Sequence, residues 1–185
     1  MEHVSDRPEV GTHRRGVSAR DLAFGGLFGA AALLLPTMFH VLQLGHVFMP
    51  MYLPLVALAF VVRPRIAVLT ALMVPLVSAA VTGMPPLFPP VAFVMAAELA
   101  LMALFIGVAT ARFPDANPLL ILVPVLLLGR VVNFVLMYAA AALLDLPAGF
   151  VAGLSLLSGW PGIILMIVVV PPLVHAIRRR GAAHG

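Results

Sequence analysis

Six apolar runs dominate the chain, at about residues 21–39, 47–62, 65–82, 90–111, 118–144 and 149–177. Runs this apolar are read as membrane-embedded, and in hydrocarbon every backbone N–H and C=O must be satisfied within the chain, which leaves helices for continuous apolar sequence. Only 10% of the residues are charged and 63% are hydrophobic, whereas about a quarter of a soluble domain is charged. The sequence therefore predicts an all-α integral membrane protein, a bundle of six transmembrane helices over residues 19–178 with tails at 1–18 and 179–185. The second run is short for a hydrocarbon core of about 30 Å and the last two are long, so tilting or partial insertion is expected.

All eleven basic residues are arginine, and ten lie outside the runs or at their ends. Arg7, Arg14, Arg15 and Arg20 precede the first run, Arg63 and Arg65 lie between the second and third, Arg112 follows the fourth, and Arg178, Arg179 and Arg180 follow the sixth. With six crossings all ten fall on one side, which the positive-inside rule makes cytoplasmic, with both termini there. The expected location is the cytoplasmic membrane of a prokaryote. The net charge of +4 then sets orientation and implies no nucleic-acid partner. Arg14-Arg15 is followed by Gly16-Val17 and reads as plain tail rather than a twin-arginine signal. Without cysteine there is no disulfide or thiolate site. Without lysine there is no Walker-type ATP site, so any ATPase that drives this protein is another polypeptide.

The eleventh arginine, Arg130, lies inside the fifth run, and Glu98 lies inside the fourth. An arginine at mid-bilayer costs roughly 2.5–3.5 kcal/mol on insertion scales, and such residues face a partner or a cavity. Counting from the run ends puts both near mid-membrane, so an ion pair is expected, either as a structural lock or at the floor of a ligand pocket. Asn133, Phe134, Met137 and Tyr138 share a helical face with Arg130 and run toward the outer surface. That stripe suits a vestibule for a small ligand with a flat ring and an anionic or hydrogen-bonding group. The sixth run carries Ser155, Ser158 and Trp160-Pro161-Gly162, where irregular backbone lines a cavity or is buried in protein. In the first run, Ala19, Ala23, Gly26 and Ala30 form one small-residue face, and Leu22, Gly25, Gly29 and Ala32 form another. Such faces serve packing within the bundle or docking to a membrane partner. The second outer loop, Thr82 to Pro90, holds four prolines and is expected to be a stiff non-helical connector. The histidines lack metal-pair spacing. No catalytic motif, cofactor or metal site is expected.

Taken in order, Phe48-Met49-Pro50-Met51-Tyr52-Leu53-Pro54-Leu55, Thr82-Gly83-Met84-Pro85-Pro86, Glu98-Leu99, Gly129-Arg130-Val131 and Trp160-Pro161-Gly162-Ile163-Ile164-Leu165 resemble the substrate-binding S component of an energy-coupling factor transporter. The resemblance spans about residues 20–178, with one departure at Tyr52, where relatives are expected to carry histidine. It implies a six-helix subunit without enzymatic activity that captures a vitamin or similar micronutrient from outside. It implies a pocket at Met49, Tyr52, Glu98, Arg130, Asn133 and Trp160. It also implies docking of Ala19, Ala23, Gly26 and Ala30 onto a transmembrane coupling protein, with two separate cytoplasmic ABC ATPases driving the cycle. Pantothenate, a pyridoxine-like compound, riboflavin and a nucleobase-like precursor all stay open as ligands. A structural membrane scaffold using Glu98 and Arg130 as a lock is the alternative. An intramembrane enzyme is the weaker third, since Glu98 has no second convergent acid or nucleophile.

Overall fold

A computed structural model describes residues 18–41, 50–145 and 159–182. Met49, Gln43, His46, Ser155 and Ser158 lie outside the described residues, as do Arg7, Arg14 and Arg15. The described residues form six α-helices: α1 Ala19–Val41, α2 Tyr52–Ala59, α3 Pro64–Thr82, α4 Val91–Arg112, α5 Pro118–Leu143 and α6 Trp160–Ala182. All but α2 are long and apolar enough to cross a membrane. Large apolar side chains point outward along them, such as Leu27 and Leu34 on α1, Leu120 and Val131 on α5, and Ile164 and Val168 on α6. So much exposed apolar surface fits lipid rather than water. The chain is a multi-pass α-helical membrane protein.

Local chemistry sets the helix ends. Pro64 and Pro118 open α3 and α5 at positions where the missing N–H is harmless. The Asn117 side chain accepts the Leu119 N–H at 3.0 Å. Gly83 ends α3 with a left-handed φ of 73°, a conformation glycine adopts without a Cβ clash. Residues 83–90 contain no helix, as their prolines predict, and the Ser78 hydroxyl donates to the Met84 carbonyl across their start.

The second run departs from a simple spanning helix. α2 is only 8 residues long, or about 12 Å, and seven of those residues are buried. It packs against α1, α3, α4 and α6. A helix that is apolar on every side belongs in the interior, and α2 forms the centre of the bundle. After Phe60, Val61 and Val62 comes Arg63, whose Nε lies 3.0 Å from Oδ2 of Asp21 in the first turn of α1. The chain between α1 and α3 therefore returns to the end at which α1 began.

Further contacts gather the basic positions at that end. A Cβ on Gly107 of α4 would lie 2.9 Å from the Pro64 ring, so the last turns of α4 lie against the start of α3. The Arg178 guanidinium donates to the Pro114 carbonyl at 3.2 Å, tying the end of α6 to the α4–α5 turn. Arg20, Arg63, Arg65, Arg112 and Arg178 thus share one end of the bundle.

The two small faces of α1 have different fates. Gly25, Gly29 and Ala32 are buried while Leu22 of the same face is exposed, and a Cβ on Gly25 would lie 3.1 Å from Ile66. Ala19, Ala23, Gly26 and Ala30 are exposed, and a Cβ on Gly26 would meet nothing within 4 Å. Gly25→Leu and Gly107→Leu are therefore expected to destabilise the purified protein by about 1–3 kcal/mol through overpacking. Gly26→Leu should leave its thermal midpoint in detergent unchanged. Equal losses at Gly25 and Gly26 would contradict this assignment of the faces.

Candidate functional site

Three helices bring polar side chains to one point. Tyr52 opens α2, Glu98 lies in α4, and Arg130 and Asn133 lie one turn apart on α5. Arg130 is twelve residues from Pro118 and thirteen from Leu143, about 18 and 20 Å along the axis, so it sits mid-helix.

The expected ion pair forms directly. Arg130 Nη2 donates to Glu98 Oε1 at 3.0 Å. The other carboxylate oxygen, Oε2, accepts the Tyr52 hydroxyl at 2.5 Å and Asn133 Nδ2 at 2.7 Å. Both oxygens act as acceptors, as in the ionised form. The Arg130 guanidinium also lies over the Tyr52 ring, 5.8 Å from its centroid, in range of a cation–π contact. Glu98 is sealed, with 1% of its side-chain surface exposed, while Arg130 keeps 11%. Tyr52 is 3% exposed.

Close helix approach makes this geometry possible. A Cβ on Gly129 would lie 2.7 Å from Met102 Sδ and 3.3 Å from Glu98 Oε1. Glycine at that position lets α5 come near enough to α4 for Arg130 and Asn133 to reach the carboxylate. Further along the same face of α5, the Phe134 and Tyr138 rings stack with centroids 6.3 Å apart. These residues lead toward the end opposite the arginines.

Of the six pocket positions expected from sequence, Tyr52, Glu98, Arg130 and Asn133 meet in one cluster. Met49 lies outside the described residues. Trp160 is not one of the four; it heads α6 after Gly159, with 52% of its surface exposed. The Tyr52–Glu98 bond and the part played by Met102 and Gly129 were not foreseen. The signal available in sequence was the position of Gly129 directly before the buried arginine, where a small residue permits close approach. No family model, curated protein or solved structure matches the chain.

Removing one member of a buried ion pair strands the other, at about 3–5 kcal/mol, whereas an apolar replacement of both is close to neutral. Glu98→Leu and Arg130→Met are each expected to lower the thermal midpoint strongly, and the double variant to recover most of the loss. Tyr52→Phe should cost less, about 1–3 kcal/mol for one lost donor to a buried acceptor. Additive losses in the double variant would show that the two residues do not act as a pair.

Proposed function

We propose that the chain is the substrate-capture S component of an energy-coupling factor type importer. It lies in the cytoplasmic membrane of a prokaryote with six crossings and both termini inside. A vitamin or related micronutrient binds from the outer side and passes inward through a transmembrane coupling protein driven by two separate ABC ATPases.

The observation that carries this reading is the cluster of Tyr52, Glu98, Arg130 and Asn133 in the middle of an otherwise apolar bundle. Ionisable groups at such depth are costly and mark ligand or ion pathways. Two features support it. The polar and aromatic stripe from Arg130 to Tyr138 leads away from the arginine end, which the positive-inside rule makes cytoplasmic. The face of Ala19, Ala23, Gly26 and Ala30 is exposed on α1, where a second membrane protein can approach closely. The absence of lysine is compatible with ATP hydrolysis on other chains.

A second reading rests on the engagement of both Glu98 oxygens, since a scaffold subunit would use such a pair purely as a lock between α4 and α5. Native mass spectrometry of the purified protein, with small-molecule extraction, separates the two. A vitamin-sized compound is expected to co-purify and to be lost from Arg130→Ala, with affinity down about tenfold or more. Repeated failure of folded apo protein to take up any member of a vitamin panel would favour the scaffold. In cells, Ala23→Leu or Gly26→Leu should stop uptake of the extracted compound while leaving its binding intact. Loss of binding as well would mean that the face packs within the bundle.

A further inference from the structure

A groove of about 420 Å³ runs along the outside of the bundle between α1 and α3. Gly25 and Gly29 form its floor, where α1 meets Ile66, Thr70 and Val74. Gly26 and Ala30 form one wall, Leu69 and Met73 the other, and all four are exposed. A Cβ on Gly26 would meet nothing within 4 Å, so that wall is open. The lining is apolar except for Thr70. On α1 the groove extends from Leu22, next to the Asp21 that meets Arg63, to Leu33. Eleven residues of helix are about 16 Å long, roughly half of a hydrocarbon core of about 30 Å. The groove is therefore one leaflet deep and begins at the arginine end.

In a bilayer such a groove fills with hydrocarbon, because an unfilled gap forfeits dispersion contacts and water finds too few polar partners there. Its walls alone do not select among lipids, since lipid tails are as apolar as leucine. Charge at its mouth does. Arg65 lies one turn before Leu69 and two before Met73, on the stripe that forms the α3 wall, and is exposed. Helical side chains lean toward the helix N-terminus, which carries the Arg65 guanidinium outward to headgroup level. Arg63 reaches Asp21 across the same mouth and is 44% exposed. The first turn of α3 adds the positive end of its dipole. Among the described residues this end has Arg20, Arg63, Arg65, Arg112, Arg178 and Arg179 against Asp21 and Asp115. Residues 1–17 hold three acidic residues and three arginines, so they add no net charge to it.

We propose that the α1–α3 groove holds an acyl chain of one anionic phospholipid from the leaflet at the arginine end, with the lipid phosphate on Arg65. The glycines of α1 supply the depth for the chain, and the arginine supplies the preference for a negative headgroup. This site is separate from the Glu98–Arg130 cluster and does not rest on the importer reading. Gly26 and Ala30 also belong to the face assigned above to a membrane partner, so a partner seated there displaces the lipid chain.

The test is native mass spectrometry of the delipidated full-length protein in detergent, titrated with dioleoyl phosphatidylglycerol or dioleoyl phosphatidylcholine. The two lipids have the same chains and differ in headgroup charge. Wild type is expected to hold one phosphatidylglycerol on the order of fivefold more tightly than phosphatidylcholine. Arg65→Gln should bring the two close to equal. Arg179→Gln, which removes an exposed arginine of the same end on α6, should keep the preference. Gly26→Leu fills the groove and should lose the single-lipid adduct with both lipids. Ala30→Leu, one turn further on, should do the same, so the groove is still tested if Gly26→Leu does not fold. Glycerol 3-phosphate at the same concentration should neither bind nor displace the lipid. Equal affinity for the two lipids in wild type would overturn the proposal, as would a preference that survives Arg65→Gln or falls equally in Arg179→Gln. Lipid adducts unchanged in folded Gly26→Leu and Ala30→Leu would place the lipid elsewhere and overturn it. Binding of glycerol 3-phosphate as tight as that of the lipid would make the phosphate alone the ligand. A dimer that disappears in Gly26→Leu would make a second copy of the chain the occupant, and either result would also overturn the proposal.

Discussion

A carboxylate inside an apolar bundle is tolerable only when hydrogen-bond donors surround it, and that requirement organises the centre of this molecule. Glu98 receives its donors from two other helices, Tyr52 from α2 and Arg130 with Asn133 from α5. None of those helices can shift far without exposing a charge to hydrocarbon. The cluster therefore fixes the depth of α2 and the approach of α5 to α4 together. Gly129 belongs to the same arrangement, because a Cβ there would strike Met102 and separate the helices that the carboxylate joins.

The placement of α2 follows from this constraint at one end and from charge at the other. Its first residue is held at the cluster, while Arg63, just beyond its last turn, reaches Asp21 at the start of α1. Between these points the segment has only apolar side chains, and it is enclosed by α1, α3, α4 and α6. A short helix so enclosed has no lipid-facing surface to define, and its tether points do the work of positioning that a hydrophobic thickness does for the longer helices.

The parts legible in the sequence were those set by one-dimensional chemistry. Apolar length gave five long helices, prolines gave the connector at 83–90, and the distribution of arginine anticipated a basic end that the Asp21–Arg63, Gly107–Pro64 and Arg178–Pro114 contacts then draw together. The Glu98–Arg130 pair was legible because two lone opposite charges at similar depth have few other solutions. The second run was legibly short, but its central, buried placement as a helix of only 8 residues was not, since an apolar run has the same composition whether it spans a membrane or fills a core. Tyr52 as a donor to Glu98 was equally hidden, because the two are far apart in sequence and nothing in either segment encodes their register. On α1, periodicity identified two small faces but could not say which one turned inward. That choice depends on the partner surface of Ile66, Thr70 and Val74 on α3, which receives Gly25 and Gly29.

The outcome on α1 bears on how its two faces relate to the charged cluster. The inward face packs against α3, whereas Ala19, Ala23, Gly26 and Ala30 are exposed. Yet α1 also touches α2, whose first residue donates to Glu98. A partner seated on the exposed face would press on a helix only one packing layer away from the charged cluster. Because the cluster joins α2, α4 and α5 through directional bonds, it has little capacity to deform gradually. Displacement of α2 would break the Tyr52–Glu98 bond and loosen the carboxylate that neutralises Arg130. In this arrangement, the Tyr52–Glu98 bond and the packing of α1 are linked through one short helix.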